Sequence, residues 1–255
     1  MKVSVCIPTY EMRGEGARFL EESFNVLASQ TFTDFEVIVS DNSADHAIRE
    51  VCEKWKSLLD LHYFQRTERL DNPCANLNNA ISHSSGEYIK PLFLDDRLYT
   101  KNSLLKFVEA ANKTSPGWVI SGGVYTSGES RSGIHAKRKR PFFHTKNLTG
   151  TNFVGMPSVI MFKNEGLLFD EKLVWLLDTE FYHRLYLRYN NPIVIPDYLV
   201  VQREWPGSLT SSMTVEIMDK ETAYVKKKHA DTFPLGQNKS AFYRLWLSIL
   251  TLLGR

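Results

Sequence analysis

The 255-residue chain is 43% hydrophobic and 12% aromatic, enough apolar material to bury a substantial core in one large domain or one domain with an appendage, which excludes a disordered chain. Thirty-one basic against 29 acidic residues leave a net charge of +2, too balanced for wholesale nucleic-acid binding, so any basic function is local. Three cysteines, Cys6, Cys52 and Cys74, are an odd number without metal-type spacing and read as reduced thiols in a cytoplasmic protein.

The first segment, "VSVCIP" (3–8), is a short apolar run without the long apolar core of a signal peptide and reads as a strand. A polar loop leads to "GARFLEESFNVLASQ", where Phe19, Leu20, Phe24 and Leu27 recur at helical spacing. The β-branched run "DFEVIVSDNS" comes next and ends in turn residues. This β-α-β unit favours a right-handed crossover and a parallel sheet. The alternation continues with a helix over 45–59, a strand "LHYFQR", a helix over 74–84, a strand "EYIKPLFL" and a helix "KNSLLKFVEAANK". The first hundred residues therefore have the pattern of a Rossmann-like nucleotide-binding half, without the Gly-x-Gly-x-x-Gly of a dinucleotide site.

Beyond residue 117 the pattern becomes irregular. "GWVISGGVYTSG" predicts a hairpin, and "HAKRKRPFFHTKNLTG" a basic, aromatic-flanked loop. A strand "SVIMF", a helix "DTEFYHRLYLRY" and a strand "PIVIP" come next. The terminal "SAFYRLWLSILTLLGR" places Phe242, Leu245, Ile249 and Leu252 on one helical face. At about fifteen residues it falls short of the ~20 needed to span a bilayer. It suits either a membrane interface, assisted by the nearby "KKKH", or packing on its own domain or on a homodimer partner.

In an open α/β sheet, ligands sit outside the carboxyl ends of the strands. "PTYE" (8–11), "SDNSAD" (40–45) and "LDDR" (94–97) all fall at such ends. Each alone is more simply ordinary turn chemistry, but their coincidence points to a nucleotide pocket in which a carboxylate accepts from a base or ribose. A hard cation, magnesium or manganese, takes oxygen ligands and needs only one or two protein carboxylates. Adjacent residues of a strand face opposite ways, so only one of Asp95 and Asp96 meets such a cation directly. Asp178, at a helix start, is by its residues alone more simply an acid favoured by the macrodipole. "KRKR" (137–140) is a solvated loop on the plain reading and a contact for an anionic acceptor on the sharper one. His135, His144 and His183 show no metal spacing.

The ordered series "VSVCIPTYE", "FEVIVSDNSAD", "NLNNAISHSSGEYIKPLFLDD", "NFVGMPSVIMF" and "WLLDTEFYHRL" resembles the inverting glycosyltransferases of family 2, over roughly residues 3 to 210. The resemblance implies a GT-A fold: an α/β, mainly parallel central sheet flanked by helices, with an irregular acceptor-binding half. By the same resemblance, Pro8, Thr9, Tyr10, Glu11 and Asp41 hold the donor's base and ribose. Asn76 or Asn78 adds polar contacts, Leu77 standing where an Arg or Lys is common. The family's Asp-x-Asp falls on "LDDR", with Leu94 at the first acid, Asp96 as the metal ligand and Asp95 among the donor contacts. Asp178 matches the catalytic base, Leu177 replacing the Glu before it. Arg203 approaches the diphosphate, and Trp205 stands where a His is expected. Asn152, Gly155, Ser158 and Trp205 line the acceptor or sugar pocket.

The activity implied by this resemblance is a manganese- or magnesium-dependent transfer from a nucleotide-diphosphate sugar, a UDP-sugar, to a hydroxyl of a glycan or lipid-linked saccharide. Its setting is bacterial-type surface-polysaccharide or lipopolysaccharide assembly, in the cytoplasm or peripherally on the inner membrane face. The expected organisation is a 1–235 transferase domain, divided near residue 100 into donor and acceptor halves, and a 236–255 amphipathic helix. The alternatives are a sugar-nucleotide-forming nucleotidyltransferase and a non-catalytic nucleotide-sugar binder.

Overall fold

The structure is a computed structural model that describes residues 2–68, 72–127, 137–143, 152–205, 207–208 and 213–232. The terminal helix expected over 236–255 lies outside the described residues, as do His135 and His144. Among the described residues no helix is long and apolar enough to cross a membrane.

The first half is built as the alternation predicts. β1 (Val3–Thr9), β2 (Phe35–Asp41), β3 (Leu61–Gln65) and β4 (Tyr88–Pro91) alternate with α1 (Gly16–Ala28), α2 (Ala47–Trp55) and α3 (Pro73–Ser82). β1 pairs in parallel with both β2 and β4, and β2 with β3. Every residue of β1 and β2 is buried, as expected of parallel strands covered on both faces. α1 buries Phe19, Leu20, Phe24 and Leu27, each worth roughly 1.5–3 kcal/mol of transfer free energy.

The second half departs from the sequence reading. β5 (Asp96–Leu98), α4 (Ser103–Thr114), β6 (Trp118–Ser127), β7 (Lys137–Lys139), β8 (Ile160–Lys163), α5 (Leu177–Tyr189), β9 (Ile193–Glu204) and α6 (Val215–Lys228) complete the described elements. "GWVISGGVYTSG" is one continuous strand rather than a hairpin. Its register against β9 shifts around Gly122 and Gly123, and a Cβ on Gly122 would lie 2.7 Å from the Tyr198 ring. The glycine pair thus serves a β-bulge and close packing instead of a turn. Part of the expected basic loop is the edge strand β7, antiparallel to β6.

The strand order is β3-β2-β1-β4-β8-β6-β9-β5, with β7 on β6. The sheet is therefore parallel through β1 to β4 and mixed beyond β4, where β8 joins antiparallel. β9 pairs with β5 antiparallel and with β6 in parallel. It thereby carries Arg203 and Glu204 to the same sheet end as the Asp95–Asp96 turn.

Candidate active site

A cavity of about 290 Å³ opens at the carboxyl ends of β1, β2 and β4. Pro8, Tyr10 and Met12 reach it from the end of β1, and Asn42 from the end of β2. Asn72, Pro73 and Asn76 come from the start of α3, and Phe93, Leu94 and Asp95 from the turn after β4. Met12, Arg13 and Gly14 all have positive φ, a left-handed bend that admits α1 directly behind Tyr10. Gly16 begins that helix so tightly that a Cβ there would lie 2.3 Å from the Tyr10 carbonyl oxygen.

Behind the cavity wall is a closed polar network. Asp41, fully buried, accepts from the hydroxyls of Thr9 (3.1 Å), Ser43 (2.7 Å) and Tyr63 (2.7 Å) and from Ser43 N (2.9 Å). Burial, with Asp41 beside it, raises the Tyr63 phenol's pKa. Asn76 accepts from Ser40 Oγ (2.6 Å) and donates to the Thr9 carbonyl (2.9 Å). Thr9 and Asp41 therefore brace the wall, while Pro8, Tyr10, Asn76 and Asp95 line it. The Glu11 carbonyl accepts from Gly14 N and Gly16 N, and its side chain is not part of the lining. Asn78 is turned elsewhere. Its amide clamps Phe169 (2.9 Å to the carbonyl, 2.7 Å from N–H) and Glu171 (3.2 Å), so it holds a distant loop instead of contacting a donor.

Asp95 is half-buried and accepts from Trp205 Nε1 at 3.2 Å. Trp205 packs edge-on against Phe19 at 5.6 Å. It thus stands with Asp95 and Phe19, apart from the Asn152–Gly155 cluster with which the resemblance grouped it. Arg203 pairs with Glu22 of α1 at 2.5 Å and lies 4.2 Å over the Phe19 ring, close enough to act electrostatically on both Asp95 and Asp96. Its direct partner in this structure is a carboxylate, and its Nε has none.

Asp96 is 3% exposed, and the nearby Ser158 hydroxyl makes no well-formed hydrogen bond to either carboxylate oxygen. Burial and then Asp95 push its pKa well up, opposed by Ser158, Lys90 and Arg203. A buried carboxylate in this condition calls for a proton or a cation, and a divalent ion fits that demand. Lys90, fully buried, donates to the carbonyls of Pro91 and Ser158. Burial lowers its pKa to about 7, with Asp96 opposing. Ser158 Oγ accepts from Phe93 N at 2.9 Å, so Ser158 supports the acidic turn from behind and, being fully buried, does not line an open acceptor pocket.

A second triad, Glu36, Asp60 and His62, has metal-compatible spacing, but it lies at the amino ends of β2 and β3, opposite the cavity. The Lys2 ammonium sits 3.1 Å from Glu36 and 3.4 Å from Asp60 and already offsets one of its two carboxylate charges.

The remaining predicted residues meet at the start of α5. Asn152 donates to Asp178 and to the Gly155 carbonyl (2.8 Å), and accepts from Gly155 N (2.8 Å). Gly155, at φ 119°, takes a backbone conformation that disfavours side chains. Its carbonyl also accepts from Tyr182 (2.8 Å), and Lys139 reaches the Asn152 carbonyl (2.9 Å). Burial raises the pKa of the Tyr125 phenol to about 12, with Asp96, Glu204 and Asp178 adding to the effect. Sequence reasoning did not single out Asn42, Asn72 or Tyr125. Asn72 left a signal, an Asn directly before the helix-opening Pro73, and it caps α3 by accepting from Ala75 N at 2.8 Å.

Residues 4–205 match the family model described as Glycosyl transferase family 2. The poly(ribitol-phosphate) beta-N-acetylglucosaminyltransferase TarS of Staphylococcus aureus is 32% identical over 108 residues, 42% of this chain and 18% of that protein. A GalNAc(5)-diNAcBac-PP-undecaprenol beta-1,3-glucosyltransferase of Campylobacter jejuni is 29% identical over 113 residues, 44% of this chain and 35% of that one. The chain thus spans well under half the length of these curated relatives. Among solved structures, S. aureus TarS 1-349 in complex with UDP-GlcNAc superposes with a TM-score of 0.66 at 22% identity, covering 88% of this chain and 66% of the other. The mannosyltransferase PcManGT of Pyrobaculum calidifontis, in complex with GDP-Man and Mn2+, gives 0.58 at 18% identity, covering 98% and 80%. The shared architecture is the GT-A fold.

Proposed function

The chain belongs to glycosyl transferase family 2, and on that premise we propose that it is an inverting glycosyltransferase using a nucleotide-diphosphate sugar, a UDP-sugar, with a hydroxyl of a glycan or lipid-linked saccharide as acceptor. The observation that carries this reading is Asp96, a buried carboxylate next in the chain to Asp95 of the cavity lining, with neither oxygen hydrogen-bonded, while Asp178 is held by Asn152.

In this reading Tyr10, Asn76 and Asp95 contact the nucleotide. Asp96 would hold a manganese or magnesium ion, which when bound offsets the charge of a leaving diphosphate. Asp178 takes the acceptor's proton as its oxygen attacks the anomeric carbon from the face opposite the leaving group, which inverts that centre. Asn152 fixes the orientation of that carboxylate. Arg203 adds positive charge near the two acids while pairing with Glu22. TarS in complex with UDP-GlcNAc supports a UDP-sugar donor, and the Mn2+ of the mannosyltransferase complex supports the cation.

Exposed Lys137, Arg138 and Arg140 beside the Asn152 cluster favour an acceptor that carries negative charge, as a lipid diphosphate does. Peripheral membrane contact, a cytoplasmic-face location, homodimer formation and a separate 236–255 helix belong to the same proposal. Lys228 and His229 of "KKKH" are engaged with Glu180, which leaves Lys226 and Lys227 for any headgroup contact.

The test is UDP release from a panel of UDP-sugars with Mn2+, using Asp96→Ala and Asp178→Asn. Asp178→Asn is expected to keep UDP binding and lose turnover, and Asp96→Ala to lose both Mn2+ response and turnover. UDP binding without turnover of any donor, with glycan acceptors supplied, would favour a binding protein. Pyrophosphate release from a nucleoside triphosphate would favour a nucleotidyltransferase.

A further inference from the structure

The helix that presents Asp178 begins without a cap of its own. Its N-cap residue is Leu176, with no side-chain capping bond, and its first residue is Leu177. The approach, Val174 to Leu176, offers three backbone N–H groups and no side-chain acceptor among them. All three are taken by one carboxylate from another element. Glu221 of α6, 5% exposed, accepts from Val174 N (2.8 Å) through Oε1, and from Trp175 N (3.0 Å) and Leu176 N (2.8 Å) through Oε2.

The same helix grips the segment at two further points. Lys228 bonds to Asp170 (2.6 Å) and Glu180 (2.8 Å), His229 to Glu180 (2.9 Å), and Tyr224 to Asp170 (2.7 Å). The stretch from Asp170 to Glu180 is therefore fixed from α6, and Asp178 lies between the Glu221 and Glu180 anchors.

We propose that Glu221 is the positioning residue for Asp178: its carboxylate pins the three residues that lead into α5 and sets where that first turn sits against Asn152. The proposal rests on Asp178 being the base. A carboxylate that receives three charge-assisted hydrogen bonds is a strong, directional anchor, and an error of about 1 Å in a catalytic group costs about a hundredfold in rate.

The test compares Glu221→Gln and Glu221→Asp with Asp178→Asn, reading UDP release from a UDP-sugar that the wild type turns over, UDP affinity by calorimetry, and amide exchange. Gln turns an N–H₂ toward backbone N–H donors, whereas Asp keeps the charge on a shorter arm. Glu221→Gln is expected to lower kcat about tenfold to a hundredfold, with donor KM and UDP affinity within about twofold. Exchange should quicken at Val174 to Thr179 and not in β1 or β2, and Glu221→Asp should recover part of kcat. An unchanged kcat, or loss of kcat and UDP affinity together, overturns the proposal, the second outcome marking a merely structural glutamate. Full turnover in Asp178→Asn removes the base assignment itself. An inactive Asp178→Asn beside a fully active Glu221→Gln removes only the positioning role.

Discussion

Asn152 donates its side-chain amide to the carboxylate of Asp178, a residue 26 positions away in the chain. The other Asp178 oxygen accepts from Thr179 N at 2.6 Å. One oxygen is therefore oriented by the helix that carries the acid and the other by a loop from the second half. Replacing Asn152 by Ala is expected to lower kcat about tenfold to a hundredfold, and Asp178→Asn about a hundred- to ten-thousandfold. Steady-state kinetics of the double variant should match Asp178→Asn alone, because two residues of one unit do not add.

Asp96 predicts a stability that depends on the cation. Its folded pKa is raised well above the ordinary carboxylate value by burial and then by Asp95. The folded state thus holds the proton more tightly than the unfolded chain. Asp96 therefore disfavours folding increasingly as pH climbs from the ordinary carboxylate value to the raised one. With chelator at neutral pH, Asp96→Asn should raise Tm by about 2–8 °C, for a gain of about 1–2 kcal/mol. Mn2+ should raise the Tm of the UDP-bound wild type further and add nothing to that of the UDP-bound variant. Differential scanning fluorimetry checks both statements.

Gly16→Ala should couple stability to donor binding. The added Cβ would lie 2.3 Å from the Tyr10 carbonyl oxygen and 3.1 Å from the Glu11 backbone, contacts that only a backbone shift relieves. A loss of about 1–3 kcal/mol is expected. Because Tyr10 lines the cavity, UDP affinity measured by calorimetry should fall with it.

Glu36 gives the opposite pairing, stability without catalysis. Burial alone would raise its pKa, but bonds from Ser4, Ser85 and Lys2 hold it at about 2. A depressed carboxylate stabilises the fold above its unfolded value of 4.5, and that stability is lost as pH falls from there toward 2. Glu36→Gln should cost about 1–3 kcal/mol at neutral pH and flatten the acid limb of a urea-unfolding series. Because the triad lies at the opposite sheet end from the cavity, UDP affinity should not change.

The first half was legible because its signals are local. β1, β2 and α1 carry period-2 or helical apolar patterns over seven or more residues, and their carboxyl ends mark a pocket by topology. β5 and β7 have three residues each, too few for any period to register. α6 went unread because its described buried face is Met218, Glu221 and Val225, and a glutamate at a core position breaks the apolar repeat. That glutamate is buried against the Val174–Leu176 backbone, a pairing that only the packed structure brings together.

By itself the sequence determined the alternating α/β plan and the acids at three strand ends, since these depend on residue type and short-range spacing. Only the tertiary structure decided their use. It turned Asn78 away to clamp the Phe169 loop, brought Trp205 onto Asp95, and joined Asn152 to Asp178. It also left the Asp96 carboxylate without a well-formed hydrogen bond. Hydrogen-bond direction and burial depend on which distant segments arrive at a site, and a one-dimensional pattern carries no record of that.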